Sequence, residues 1–297
     1  MNGIISIIGV PMDMGQMRRG VDMGPSAIRY AGVVEELTQL GYEVKDLGNI
    51  TIEKVEEQME STKLRNLDSV VTMNELLAKS VDEVVSLGQI PLILGGDHSI
   101  AIGTLAGIGK HYENLGVIWF DAHGDLNTEF TTPSGNIHGM SLAASLGFGH
   151  KALTNLYGYG PKIKPKNIVI IGARDLDEGE KLFIKENGIK VYTMETIDHL
   201  GMRVVMEETL KYLSDTDGIH LSLDLDGLDP MHAPGVGTPV IGGITYREGH
   251  LALEMLEKSG VVVSAEFVEV NPILDERNKT AITTVGLIRS LFGARLL

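Results

Sequence analysis

The chain has 297 residues, with 25 Lys and Arg against 40 Asp and Glu, which gives a formal net charge of −15 at pH 7. A chain this acidic does not suit nucleic acid or an anionic membrane surface as a partner, because phosphate groups are bound by surplus Lys and Arg. Cysteine is absent, so disulfide frameworks, thiolate nucleophiles and Cys-based metal sites are excluded.

Short apolar runs rich in β-branched residues alternate with longer amphipathic segments along the whole chain. The runs predict buried strands, at residues 4–10, 91–94, 116–120, 167–171, 189–192, 219–223 and 261–268. The amphipathic segments predict helices, at residues 25–40, 67–87, 100–111, 178–187, 203–213, 248–258 and 281–292. Hydrophobic strands separated by helices are typical of a parallel α/β sheet covered on both faces. No linker or repeat interrupts the pattern, so we predict a single domain over residues 1–297.

Three predicted strands end in clusters of His or carboxylate residues, at the carboxyl edge of the sheet where ligands bind in such folds. The strand at 116–120 is followed by Asp-x-His-x-Asp, whose alternate residues share one face of an extended segment. The strand at 219–223 is followed by Asp-x-Asp, and the strand at 91–94 by Gly-Gly-Asp-His-Ser. The candidate metal ligands from these segments are His98, Asp121, His123, Asp125, Asp224 and Asp226.

Each motif alone has an ordinary explanation, because an Asp after a strand usually caps a helix or forms a turn. Together they indicate a metal centre, since carboxylates gathered at one edge repel each other unless a cation neutralises them. Four carboxylates and two imidazoles are too many for one tetrahedral zinc ion, and they suit two divalent ions that share ligands. Oxygen-rich ligands with some imidazole favour Mn²⁺, and a water shared by two such ions becomes a nucleophile near neutral pH.

The same segments resemble the three signatures of the ureohydrolases, the dimanganese family of arginases, agmatinases and formiminoglutamases. The matching segments are Gly95-Gly96-Asp97-His98-Ser99, Asp121-Ala122-His123-Gly124-Asp125 and Ser222-Leu223-Asp224-Leu225-Asp226-Gly227-Leu228-Asp229-Pro230. The resemblance covers essentially the whole chain and implies a three-layer α/β/α fold around a mostly parallel sheet, with two Mn²⁺ per subunit. It assigns one ion to His98, Asp121, Asp125 and Asp224, and the other to Asp121, His123, Asp224 and Asp226.

Further residues match positions at which members of this family bind substrate. Glu269 matches a carboxylate that pairs with a guanidinium group, a planar cation whose parallel N–H groups suit a bidentate partner. His138 matches a proton-transferring histidine, and its ring titrates near neutral pH. The resemblance implies that the α-carboxylate of the substrate is bound by Asn127, Thr132, Ser134 and Asn136. It implies that the α-ammonium group is bound by Asp177 and Glu180, and that Thr238 lies close to the guanidinium group. For Asp177 and Glu180 the spacing also predicts a capping box that opens a helix.

Agmatine has no α-carboxylate, so this set of amino-acid-binding positions favours L-arginine as the substrate. The resemblance therefore implies hydrolysis of L-arginine to L-ornithine and urea, in which a metal-bridging hydroxide attacks the guanidinium carbon. Asp125 and Glu269 are then catalytic together with His138, and Asp125 relays a proton. Two alternatives stay open: a ureohydrolase acting on agmatine or another guanidino compound, and a non-catalytic metal-dependent binding protein.

Resemblance to bacterial members implies a homo-oligomer, a hexamer built from two trimers or a trimer, and the apolar stretch at 287–297 with Arg289 and Arg295 is a candidate interface. The N-terminus has no basic region or cleavage site, and no apolar run approaches ~18 residues, so we expect a cytoplasmic protein with no membrane partner. We expect Arg18 and Arg19 to be solvated or intersubunit residues. The histidines outside the motifs, including His220, are predicted to be structural or exposed.

Overall fold

The computed structural model describes residues 3–51 and 63–296, and the strands of these ranges form one eight-stranded sheet. The strands are β1 (Ile4–Gly9), β2 (Glu43–Asn49), β3 (Ile90–Leu94), β4 (Leu115–Phe120), β5 (Ile168–Ala173), β6 (Lys190–Thr193), β7 (Gly218–Asp224) and β8 (Val262–Val268). Their order is β2-β1-β3-β8-β7-β4-β5-β6, and each neighbouring pair is parallel. The predicted α/β class is confirmed, with a sheet that is parallel throughout.

Helices cover both faces of this sheet. They are α1 (Gly24–Tyr30), α2 (Val33–Gln39), α3 (Leu67–Ser86), α4 (Ala101–Ile108), α5 (Ser141–Ser145), α6 (Lys151–Thr154), α7 (Glu178–Asn187), α8 (Met194–Leu200), α9 (Met202–Tyr212), α10 (Tyr246–Ser259) and α11 (Lys279–Leu291). Side chains alternate between two apolar cores along each central strand: Ile118 of β4 faces the core that contains α1, α2 and α8 to α11, whereas Trp119 faces the core of α3 to α7. The molecule therefore has the three layers that the family resemblance implied.

The predicted strands all correspond to observed ones, but β2 was not predicted. Its sequence, Glu-Val-Lys-Asp-Leu-Gly-Asn, is polar and largely exposed, and it pairs with β1 at one edge of the sheet. An edge strand of this kind is held by main-chain pairing and charged side chains rather than by burial. The helix predicted at 25–40 is also wrong as one unit, because Gly32 adopts φ 92° and separates α1 from α2.

The apolar C-terminal stretch packs against its own chain. Leu287 and Ile288 are fully buried in the core beside α10, and the Arg289 Nε atom lies 3.0 Å from Oε2 of Glu36. These buried apolar residues stabilise the fold of the chain itself, and a subunit interface at the exposed remainder of the stretch, such as Leu296, stays a prediction. Separately, no helix in the described ranges combines the length and apolar character needed to cross a membrane.

The strand order brings four carboxyl ends side by side in the middle of the sheet. Strands β3, β8, β7 and β4 are consecutive neighbours. Phe120 at the end of β4 pairs with Leu223 of β7, so Asp121 and Asp224 follow at the same level. In parallel α/β sheets this edge is where ligands bind, and the predicted metal ligands all lie at the end of, or just after, β3, β7 or β4.

Candidate active site

The Nδ1 atom of the His98 imidazole faces three carboxylates. It lies 3.1 Å from Oδ2 of Asp121, 3.0 Å from Oδ2 of Asp125 and 3.2 Å from Oδ2 of Asp224. This nitrogen is buried and makes no hydrogen bond of acceptable geometry with the part of the chain that the structure describes. A buried ring nitrogen left without a hydrogen bond among convergent carboxylate oxygens fits a metal ligand.

A second group of potential ligands adjoins the first through Asp121. The His123 Nδ1 atom lies 3.3 Å from Oδ1 of Asp121 and 3.2 Å from Oδ2 of Asp226. Asp121 thus turns one carboxylate oxygen toward His98 and the other toward His123, as a ligand shared by two ions would. The six predicted metal ligands therefore come together in two adjoining groups, and their nitrogen and oxygen donors suit divalent ions.

Burial and mutual repulsion set the protonation of these groups. Burial, together with the charges of Asp226 and Asp121, raises the pKa of Asp224 well above its usual value. Burial would lower the pKa of His98, but its contacts with the surrounding carboxylates raise it well above the usual value instead. Without a metal ion, protons are therefore bound tightly at Asp224 and His98, and a divalent cation has to compete with those protons.

The side of the His98 imidazole away from the carboxylates contacts residues that sequence reasoning did not single out. Its Nε2 atom lies 2.8 Å from Oγ of Ser222, which in turn donates a 2.7 Å hydrogen bond to Oε1 of Glu266. The imidazole also stacks on the indole of Trp119, with ring centroids 4.1 Å apart. The available sequence signal is a polar residue inside an otherwise apolar strand, as Ser222 is in β7 and Glu266 in β8.

Glu269 lies just after β8, in contact with the backbone of His98, and is fully buried. Its backbone has φ 66°, a left-handed conformation that is costly for a residue with a side chain. Its Oε1 atom accepts a 3.0 Å hydrogen bond from the backbone N–H of His98 and lies 3.1 Å from Nδ1 of His138. Burial would raise the pKa of Glu269, but the contact with His138 lowers it, so the carboxylate is ionised.

A cleft opens onto the metal ligands. It is lined by His123, Asp125, Asn127, Thr132, Pro133, Ser134, Asn136, His138, Gly139, Asp177, Glu180, Asp224, Asp226 and Thr238. The structure therefore brings the predicted substrate-binding residues together around one space, and Glu269 joins them through its contact with His138. Thr238 donates a 2.9 Å hydrogen bond to Oδ2 of Asp226, which places its hydroxyl group beside the metal ligands.

The loop between β4 and α5 presents polar groups along one wall of the cleft. Asn127 donates a 2.8 Å hydrogen bond through Nδ2 to Oδ2 of Asp177, and Oγ of Ser134 accepts one from the backbone N–H of Asn136. The Oδ1 atom of Asn136 is buried without a hydrogen-bond partner in the described chain. The loop therefore offers amide and hydroxyl groups, which suit a polar ligand.

The predicted capping box at the start of α7 is confirmed. Glu180 accepts a 2.9 Å hydrogen bond from the backbone N–H of Asp177 and a 3.1 Å one from that of Leu126. Burial raises the pKa of Glu180 to about 7, against the effect of these two N–H groups. This carboxyl group therefore changes charge near neutral pH at the wall of the cleft.

Three other side chains connect the loops around the site, and two of them, Gln16 and Arg174, were not singled out from the sequence. Gln16 donates a hydrogen bond to Glu269, and Arg18 donates one to the carbonyl oxygen of Gly237. Arg174 donates to several carbonyl groups, including those of Asp226 and Val240. Arg18 is exposed, as expected of a solvated residue, and its guanidinium group also links two loops of the same chain.

Comparison with known proteins gives consistent matches over nearly the full length. The model of the arginase family matches residues 4–293. An arginase of Bacillus caldovelox is 68% identical over 296 residues, which is 99% of each chain. The crystal structure of an arginase from Bacillus cereus has a TM-score of 0.96 at 68% identity and covers 99% of this chain and 100% of its own. An arginase of Entamoeba histolytica in complex with L-ornithine has a TM-score of 0.91 at 36% identity, covering 98% and 99%.

Proposed function

The chain belongs to the arginase family, and on this premise we propose that it converts L-arginine and water to L-ornithine and urea with two bound Mn²⁺ ions. The family assignment makes it a hydrolase acting on C–N bonds. The observation that carries the proposal is that members of both groups of metal-ligating side chains line one cleft together with the residues suited to an amino acid. These members are His123, Asp125, Asp224 and Asp226.

One ion would be held by His98, Asp121, Asp125 and Asp224, and the other by Asp121, His123, Asp224 and Asp226. When bound, a pair of divalent ions supplies an ionised water at neutral pH as the nucleophile. Two observations support this assignment: the His98 Nδ1 atom has no hydrogen bond within the described residues, and the two Asp121 oxygens are divided between the groups.

The substrate would lie along the cleft with its guanidinium group at Glu269. A buried, ionised carboxylate matches a planar cation and fixes its orientation. At the outer end, Asp177 and Glu180 would receive the α-ammonium group, while the hydroxyl and amide groups of the loop would receive the α-carboxylate. These loop residues are Asn127, Thr132, Ser134 and Asn136. The L-ornithine in the Entamoeba histolytica relative supports an amino-acid product.

His138 would deliver a proton to the leaving amine. Burial would lower its pKa, but the hydrogen bond and charge of Glu269 raise it to about 9. The imidazole is therefore protonated at neutral pH and lines the cleft, which are the two conditions for a general acid. Asp125 would relay a proton from the nucleophile, since its Oδ2 atom lies among the metal ligands and 3.3 Å from Oγ of Ser141.

The proposal is tested by urea release from L-arginine and from agmatine, measured in parallel on chelator-stripped protein with and without added Mn²⁺. We expect Mn²⁺-dependent activity on L-arginine and a much lower kcat/KM for agmatine, because agmatine leaves the α-carboxylate-binding groups unpaired. Activity on agmatine alone would contradict the substrate, and no urea from either would contradict the reaction. Light scattering on the same preparation tests the homo-hexamer that the family resemblance implies.

A further inference from the structure

The two oxygens of the Glu269 carboxylate are held by different parts of the chain. Oε1 is held by His98 and His138, whereas Oε2 accepts a 2.9 Å hydrogen bond from Nε2 of Gln16, 253 positions away in sequence. Both side chains are buried, with Glu269 0% and Gln16 4% exposed. Gln16 therefore fixes the rotation of the carboxylate about its last bond.

The loop that carries Gln16 is itself anchored to the segments around the site. The backbone N–H of Gly15 donates a 2.8 Å hydrogen bond to Oδ2 of Asp97, and its carbonyl accepts one of 3.1 Å from the N–H of His138. On the other side of Gln16, Arg18 donates to the carbonyl oxygen of Gly237. The carboxamide of Gln16 is thus placed by a rigid frame before any substrate arrives, which is the condition for orienting another group.

Because Gly237 has no side chain, the side chains of Gln16 and Glu269 have room to meet beside it. A Cβ atom at this position would lie 2.9 Å from Oε1 of Gln16 and 3.2 Å from Oε2 of Glu269. The backbone of Gly237 is not in the left-handed region, so its role here is to provide room. A methyl group at this position would push the Gln16 carboxamide away from Glu269.

We propose that Gln16 is a positioning residue that orients the Glu269 carboxylate toward the guanidinium group of the substrate. The inference rests on the proposed function, in which Glu269 receives that group. Gln16 itself forms no bond to the reacting atoms and acts through Glu269. Loss of the Gln16 carboxamide therefore weakens the binding of ligands that carry a guanidinium group and leaves the rest of the cleft unchanged.

The test uses two substitutions that disturb the same contact in different ways. Gln16→Met keeps the length of the side chain and removes the donor, whereas Gly237→Ala keeps Gln16 and displaces it. Loss of a hydrogen bond to a charged group predicts a kcat/KM for L-arginine lower by roughly 10- to 100-fold, with a raised KM. The inhibition constant of L-ornithine, which lacks the guanidinium group, stays unchanged, as does the Mn²⁺ content. Gln39→Met, at the exposed end of α2, is the matched control and retains full activity.

The outcomes separate this inference from the proposed function. Wild-type protein that releases no urea from L-arginine contradicts the proposed function and this inference with it. Active wild-type protein with unchanged Gln16→Met kinetics overturns the inference alone. Equally weakened binding of L-arginine and L-ornithine, or loss of Mn²⁺, also overturns the inference, because Gln16 would then maintain the overall structure of the cleft.

Discussion

The Nδ1 atom of His138 lies 3.1 Å from Oε1 of Glu269, inside the wall of the cleft. Through this contact Glu269 raises the pKa of His138 to about 9, although burial opposes the shift. In the proposed function a guanidinium group binds the same carboxylate. Its positive charge weakens the hold of Glu269 on the His138 proton, so substrate binding prepares that proton for transfer to the leaving amine.

Replacing Glu269 by Gln should therefore lower the pKa of His138 toward the ordinary histidine value, because the charge that raises it is removed. The raised pKa means that this contact contributes stability below pH ~6.5, which is lost as the pH rises through about 9. Ring-labelled histidine NMR between pH 5 and 10 measures the shift directly. An unchanged His138 titration in the variant would show that the contact does not set its protonation.

The affinity for L-ornithine should increase as the pH rises through about 7, the raised pKa of Glu180. Below that pH the buried carboxyl group is protonated and attracts the α-ammonium group weakly, so affinity falls by up to about tenfold per pH unit. Inhibition constants from pH 6 to 8.5 give the profile. In Glu180→Gln the inhibition constant of L-ornithine should no longer change with pH around 7, because the titrating carboxyl group is gone. The exposed neighbour Glu178 provides the control, and Glu178→Gln should keep the wild-type pH dependence. Equal profiles for all three proteins would refute the role of Glu180.

Ser222→Ala should weaken Mn²⁺ binding by roughly 10- to 100-fold, because it removes the group that links His98 to Glu266 and orients the imidazole. Isothermal titration of stripped protein with Mn²⁺ measures the change. Ser6→Ala is the matched control: this buried serine lies in β1 of the same sheet and donates a 2.5 Å hydrogen bond to Oε1 of Gln89, and the variant should bind Mn²⁺ as the wild type does. Equal loss in both variants would indicate a general effect on the strands.

Removing the bound metal should lower the Tm. The difference in Tm between Mn²⁺-loaded and stripped protein should be larger at pH 8 than at pH 6. Mn²⁺ at 100 times its dissociation constant adds about 2.7 kcal/mol to the free energy of unfolding. The pKa of Asp224 is raised well above its usual value by burial and by Asp226 and Asp121, so protons compete better at low pH. Thermal unfolding with chelator or Mn²⁺ at both pH values tests this, and an identical Tm in all four conditions would exclude a tightly bound ion.

Much of the fold was predictable from the sequence because buried parallel strands are continuous apolar runs. Strands β4 and β7 show this clearly, with every residue buried. The edge strand β2 escaped prediction because its stability comes from pairing with β1, which leaves no hydrophobic pattern. The break at Gly32 escaped as well, since amphipathic periodicity continues through α1 and α2 while one glycine changes the direction of the chain.

The site was predictable where its residues are close in sequence. Asp121, His123 and Asp125 alternate after one strand, and this spacing alone suggests convergence. The contact between Gln16 and Glu269 joins positions 253 residues apart, and no local pattern marks Gln16 as unusual. Such supporting residues are determined by how loops meet in three dimensions, so the structure was needed to find them.

The most direct test of the account is a crystal structure with Mn²⁺ and L-ornithine, with the ions located by anomalous scattering at the manganese edge. The account predicts two peaks that share Asp121, one beside His98 and one beside His123, with the α-ammonium group of L-ornithine at Asp177 and Glu180. A single peak, peaks away from these residues, or L-ornithine bound outside the cleft would contradict it.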